Sequence, residues 1–361
     1  MITRRNIAIL LTPLSFFILF GYFILSLIFE SIATNNSEVR TYANKLFRKY
    51  HVLTGGFTTY LLLLITFRSF GKPKLFKLSE ESLEELNELN KYLHKEAIFY
   101  PRLGSLKSKN KNFKKQYLLS EFKYHQIISD GKLINDSYPG FNISQRELLS
   151  SPFLWRFLTK NDFENKIVSI LGKKKNHYLV NINAWMVTHL NSKKFDSYSK
   201  EMIFSSAAQT YHYDYDLIHF CKVFINLSNT NIDDGPFEFV DAYKARNIPN
   251  PPLVPNSFRG KTRVINIPKI LIDQKRFLTG PTGSTLVCPT FCIHRDGRPK
   301  KGNHRIVLQL EFATTLAFSE KFYGLQKYSS ILRKLYDLNE PAFMSFLNEK
   351  SYLLRYLNLF T

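Results

Sequence analysis

Three histidine or aspartate positions fall within five residues of the stretch QTYHYDYDLIHF at 209–220: His212, Asp214 and Asp216. On an extended strand, residues two apart project to the same side, so His212 and Asp214 point together with Asp216 beyond them. An imidazole and a carboxylate on one face supply two legs of a metal site. The third must come from elsewhere, and the best candidate is His294, at the end of STLVCPTFCIH and just before a Gly/Pro turn. Two histidines and one carboxylate leave coordination positions open, which suits non-haem Fe(II), a metal that needs room for a cosubstrate and dioxygen. Arg305 follows eleven residues after His294, at the start of the next strand. A hairpin there returns it beside the metal, where its guanidinium can grip the remote carboxylate of a dicarboxylic keto acid.

Each of these residues has a plainer reading. A lone His-x-Asp in a strand is usually a surface feature or a satisfied polar pair, and it is His294 and Arg305 that sharpen it. Asp216 is the rival carboxylate, but the step of two favours Asp214 and leaves Asp216 to orient the site from behind. His219 reads as strand packing and His304 as loop surface. Cys288, Thr290, Cys292 and His294 share one strand parity, so a Cys-x-x-x-Cys-x-His zinc site is the competing chemistry, although it ignores His212 and Asp214. Lys222 and Asn226 alternate into the same sheet, either lining a pocket or facing solvent. Trp185 is core or pocket wall, and Tyr211, Tyr213 and Tyr215 read as packing.

The elements that must position these groups are mostly strands. From 177 the texture is β: HYLVNINAWMVTHL, QTYHYDYD, HFCKVFINLS, FEFV, KTRVINI, STLVCPTFCIH and HRIVLQLEF, separated by turns such as NTNIDDGP and RDGRPKKGN. Short strands between turn signals argue for a sandwich or barrel. The segments are 76–176, a helical or mixed flank; 177–318, the β core; and 319–361, helices packing on that core. Within the flank, Ser79 precedes an acidic first turn and leucines at 83, 86, 89 and 93, the pattern of a capped amphipathic helix. SQREL at 144 starts another helix, and the Lys-rich SLKSKNKNFKK at 105–115 reads as an exposed loop.

Segment 1–75 is a membrane region. Its uncharged run at 7–29 is long enough to cross a bilayer, for which roughly 20 residues are needed; a signal peptide cut after Ser31-Ile32-Ala33 is the rival reading. A second apolar run at 52–67 is a second span that completes a hairpin, an interfacial segment or a buried helix. Arg4 and Arg5 before the first run, and Arg68, Lys72, Lys74 and Lys77 after the second, suit a hairpin with both ends and the following domain cytoplasmic. The 361-residue chain carries a formal charge of +21, but the basic residues are dispersed and no nucleic-acid-binding motif accompanies them. The charge reads as a basic surface that keeps the protein soluble or close to anionic lipid. Three cysteines, Cys221, Cys288 and Cys292, have no framework spacing and read as buried free thiols of a reducing compartment.

The order Gln209-x-x-His212-x-Asp214, then KVFINLSNTNIDDGPFEFV, Gly283-Ser284-Thr285, His294 and Arg305 resembles the phytanoyl-CoA dioxygenase family of Fe(II)/2-oxoglutarate-dependent oxygenases, over roughly 178–312. The resemblance implies a double-stranded β-helix, or jelly roll, as the β core of an α+β chain. It implies iron on His212, Asp214 and His294, and 2-oxoglutarate on Arg305 with Gln209 as a further contact. It also implies a dioxygenase that consumes O2 and hydroxylates an unactivated C–H bond; the hydrophobic N-terminal runs and the basic charge, rather than the resemblance, point to a small-molecule or lipid-like substrate. Asp296 stands where a small hydroxyl residue is often seen near the keto acid. Two other classes of protein compete: a membrane-anchored binding or scaffold protein on a degenerate jelly roll, and a non-oxidative zinc enzyme.

Overall fold

The computed structural model describes residues 73–102, 120–171, 178–191, 203–204, 207–212, 220–240, 273–289 and 293–313. The expected spans at 7–29 and 52–67, the Lys-rich loop, the KTRVINI strand, Asp214, Asp216, His219, Cys292 and the C-terminal helices of 319–361 all lie outside the described residues. Among the described residues no helix is long and apolar enough to cross a membrane.

Twelve strands are described: β1 (Lys74–Lys77), β2 (Phe99–Pro101), β3 (Ile128–Ser129), β4 (Lys132–Leu133), β5 (Gly140–Ile143), β6 (Tyr178–Thr188), β7 (Phe220–Asn226), β8 (Phe237–Val240), β9 (Lys275–Leu278), β10 (Ser284–Pro289), β11 (His294–Arg295) and β12 (His304–Ala313). A large antiparallel sheet runs β1-β10-β7-β12-β6-β5-β2, and a small one runs β11-β8-β9. An isolated antiparallel bridge between His212 and His294 extends the small sheet by one position beyond β11. Followed along the sequence, the chain passes from β6 in the large sheet to His212 in the small one. It returns to β7, crosses to β8 and β9, returns to β10, crosses to β11 and ends in β12. This alternation between two facing sheets is a double-stranded β-helix, and the β core is a jelly roll.

Strand parity divides the interior cleanly. On β12, Ile306, Leu308, Leu310 and Phe312 face a core shared with the helices. The alternate residues Arg305, Val307, Gln309 and Glu311 face the space between the sheets and are all buried. Trp185, Val187, Phe224, Leu286 and Cys288 from the large sheet meet Phe237, Phe239 and Leu278 from the small one in a second apolar cluster there. Lys222 and Asn226 share that inner face and are buried rather than solvent-facing. Cys221 and Cys288 are buried free thiols, and burial pushes the Cys221 thiol well up.

The flank contributes more than helices. Its strands β2 and β5, and β1, which starts at Lys74 just before the expected boundary at 76, join the same large sheet as the jelly-roll strands. The helices α1 (Glu80–Glu96), α2 (Gln145–Ser150), α3 (Pro152–Thr159) and α4 (Asn161–Leu171) supply many of the residues covering that sheet's outer face. α1 begins where its chemistry dictates: the Ser79 hydroxyl accepts from the Ser82 amide, and Glu80 and Glu81 complement the positive N-terminus. Leu86, Leu89 and Leu93 are buried. The Ser79 and Ser82 hydroxyls also donate to Asp162, fastening α1 to α4. Strand β9 was not evident in the sequence, because KRFL reads as a polar loop; its backbone is claimed by pairing with β8.

His304 is not on a surface loop. It opens β12 and is half-buried, and burial lowers its pKa. It helps depress His94 on α1, whose ring stacks on Tyr124 at 3.8 Å. Burial first, then His304, lowers His94 from 6.5 to about 4. Between those values the unfolded chain takes up a proton that the folded chain refuses, so stability is full above pH 6.5 and falls as the pH drops toward 4. The loss attributable to His94 is on the order of 1–3 kcal/mol. Thermal denaturation from pH 7 to pH 5 will show a falling Tm, and His94→Gln will flatten that slope.

Candidate active site

His212 and His294 are brought face to face by backbone. Each amide donates to the other's carbonyl, at 2.9 Å from His212 and 2.8 Å from His294. Their rings lie 4.4 Å apart, centroid to centroid, inclined at 56°, and they are 5% and 4% exposed. His294 pairs with Phe239 across β11 and β8, which turns its side chain inward. Phe237 stacks on the His294 ring at 5.2 Å. His212 Nδ1 lies 2.8 Å from the Thr210 carbonyl oxygen. A carbonyl only accepts, so Nδ1 carries the hydrogen and the ring's lone pair is on Nε2, the tautomer fixed in many metal-binding histidines. Two buried, adjacent imidazoles with one tautomer set in this way fit a divalent transition metal. Asp214, two residues beyond His212, is the expected third donor. Among the described residues no group of three ligating side chains forms by itself.

Arg305 enters this interior from the second residue of β12, opposite Val187 on β6. It is fully buried. Its Nη2 donates to Asp296 Oδ1 at 2.6 Å. The other oxygen of Asp296 accepts from Arg102 Nη1 at 2.6 Å and from Trp185 Nε1 at 3.2 Å. The Arg102 guanidinium also lies over the Trp185 ring, 4.5 Å from its centroid. Burial would raise the Asp296 carboxyl, but the two guanidinium charges outweigh it and hold the group below the usual range. Burial likewise lowers Arg305, with Asp296 opposing.

The other sequence candidates fall into place around this core. Gln209 is buried, and its amide Nε2 donates to the Pro139 carbonyl at 2.9 Å, so it ties the His212 segment to the loop before β5. Tyr211 is more than packing: its hydroxyl donates to Glu238 at 2.6 Å, and Arg295 both pairs with Glu238 at 2.7 Å and covers the Tyr211 ring. Trp185 is buried in the inter-sheet apolar cluster, with its indole donating to Asp296. Arg102 was invisible in the sequence, since it lies 194 residues from its partner Asp296 in an unremarkable YPRLG.

Gly297 locks the Asp296 segment against the turn before β8. Its amide donates to the Pro236 carbonyl at 3.0 Å, and a Cβ at this position would meet that same oxygen at 2.3 Å and the Gly235 carbonyl carbon at 2.6 Å. These are backbone atoms, which cannot move aside cheaply. Gly297→Ala will therefore destabilise the protein by roughly 1–3 kcal/mol in urea denaturation, and it will shift Asp296 relative to Arg305.

No family model matches the chain, and no curated protein matches it. Solved structures similar to it include a non-haem monooxygenase, ThoJ, in its apo form, at 12% identity and a TM-score of 0.34 over 66% of this chain and 71% of that one. The non-haem alpha-ketoglutarate-dependent epimerase SnoN from nogalamycin biosynthesis is similar at 12% identity and a TM-score of 0.35, over 68% and 91% of the two chains. EctD from S. alaskensis in its apoform is similar at 10% identity and a TM-score of 0.37, over 69% and 77%. The jelly-roll assignment stands on the strand order itself.

Proposed function

We propose that this chain is an Fe(II)- and 2-oxoglutarate-dependent dioxygenase that hydroxylates an unactivated C–H bond of a small, lipid- or acyl-like substrate. The observation that carries the reading is the pairing of buried His212 and His294 across one backbone bridge, with the buried Arg305 guanidinium linked through Asp296 to the same β11 segment. His212, His294 and Asp214 would hold the metal, and bound iron supplies the activation of dioxygen. The Thr210 carbonyl keeps the His212 lone pair on Nε2. Arg305 Nη1, which has no partner among the described residues, donates to the distal carboxylate of the keto acid. Phe237 and Phe239, packed beside His294, keep water from the reacting centre. Retention of a carboxylate at 214 favours hydroxylation, because a ligand set that bound halide would free that position.

Purified protein supplied with Fe(II), ascorbate and a substrate extract will convert 2-oxoglutarate to succinate. His212→Ala and His294→Ala will each lower that rate by more than about 100-fold. Failure of the wild-type protein to bind Fe(II) after anaerobic reconstitution would overturn the reading.

The same reading sets 7–29 and 52–67 in a membrane as a hairpin, with the jelly roll on the cytoplasmic side. Its support is the uncharged length of the first run, the basic residues on both outer flanks and the cytosolic supply of 2-oxoglutarate and iron. In sealed vesicles with the cytoplasmic face outward, added protease will remove the jelly roll; full protection would reverse the orientation.

A further inference from the structure

Asp296 already takes one donor of the guanidinium assigned to the keto acid. With Arg305 alone it would cancel the charge that attracts a carboxylate. Arg102 changes that balance. Two guanidinium groups and one carboxylate, joined by contacts of 2.6 Å each, leave one net positive charge in a site where Asp296 and Arg305 are 2% and 0% exposed. Arg305 Nε and Nη1 are buried with no partner among the described residues. A buried donor left without an acceptor is costly, and one further carboxylate on the Nη1 side would supply an acceptor there and balance the charge. The structure also shows how Arg102 is held for this task. It directly follows β2, its amide donates to the Gly140 carbonyl at 2.8 Å, and its side chain lies on Trp185.

We infer that Asp296 and Arg102 form a charge-setting pair that decides how tightly Arg305 holds a ligand carboxylate, and hence how strongly the site selects a dicarboxylic keto acid over a monocarboxylic one. The inference deepens the cosubstrate reading above and rests on it. Arg102 and Asp296 are positioning residues in this scheme: Asp296 limits the affinity of the clamp and Arg102 restores it. Neither effect depends on side-chain shape alone, so removing both charges together returns the site to its starting net charge.

The test is calorimetric titration of 2-oxoglutarate, and separately of pyruvate, into the full-length protein loaded with Mn(II) to prevent turnover. Asp296→Asn will lower the Kd for 2-oxoglutarate by at least about tenfold and Arg102→Gln will raise it by at least about tenfold. The double variant will return to within about threefold of wild type, and pyruvate, which lacks the distal carboxylate, will change by less than about threefold throughout. The double variant also removes the unpaired charge that either single change leaves, which keeps the comparison interpretable if Arg102→Gln folds poorly. If wild type binds 2-oxoglutarate and neither single variant moves its Kd beyond about threefold, the charge-setting role is overturned and the cosubstrate reading stands. If wild type fails to bind while Asp296→Asn binds, the charge-setting role stands and the cosubstrate reading falls for the natural chain. If neither binds, both are overturned.

Discussion

A carboxylate cannot be buried without company, and Asp296 has three donors around it: Arg305, Arg102 and the Trp185 indole. That requirement ties together parts of the molecule that otherwise only neighbour one another. Asp296 comes from the turn after β11, Arg305 from β12, Trp185 from β6, and Arg102 from the edge of the large sheet. Removing one member of a buried ionic group leaves its partners uncompensated, which costs far more than the group contributes as a whole. The interaction therefore acts less as a source of stability than as a constraint on geometry: the two sheets and the flank must agree on where these charges meet.

The two histidines obey a different logic. Their proximity is set by backbone hydrogen bonds rather than by charge, at the one position where the 209–212 segment pairs with β11. A metal site built on a strand bridge inherits the rigidity of the sheet, while the side-chain clamp beside it is tuned by electrostatics. The interior is thus divided between a fixed element and an adjustable one, separated by only the two residues from His294 to Asp296.

The parts of this arrangement that were legible in the sequence are those that local periodicity encodes. His212, His294 and Arg305 could be placed on inward faces because strands alternate, and α1 could be delimited because Ser79 caps it and its leucines recur at helical spacing. What escaped was set by long-range contact. Arg102 carries no local signal, and its role exists only because β2 and β5 extend the sheet toward β6. His304 looked like turn surface because RDGRPKKGN precedes it, yet the pairing of β12 with β6 begins at His304 itself. Asp296 was legible as a departure near the keto acid, but its engagement with two arginines required the fold.

The span between Arg102 and Asp296, 194 residues, has a consequence for biogenesis. A contact this distant in sequence must wait for both of its partners to be synthesised. The β2 edge is synthesised long before β11 and β12, so during translation Arg102 exists for most of that time without its counter-charge. The large sheet cannot close between β7 and β6 until β12 arrives to sit between them. A nascent chain stalled anywhere before residue 304 therefore has no β12 between β7 and β6 and no Arg305 beside Asp296.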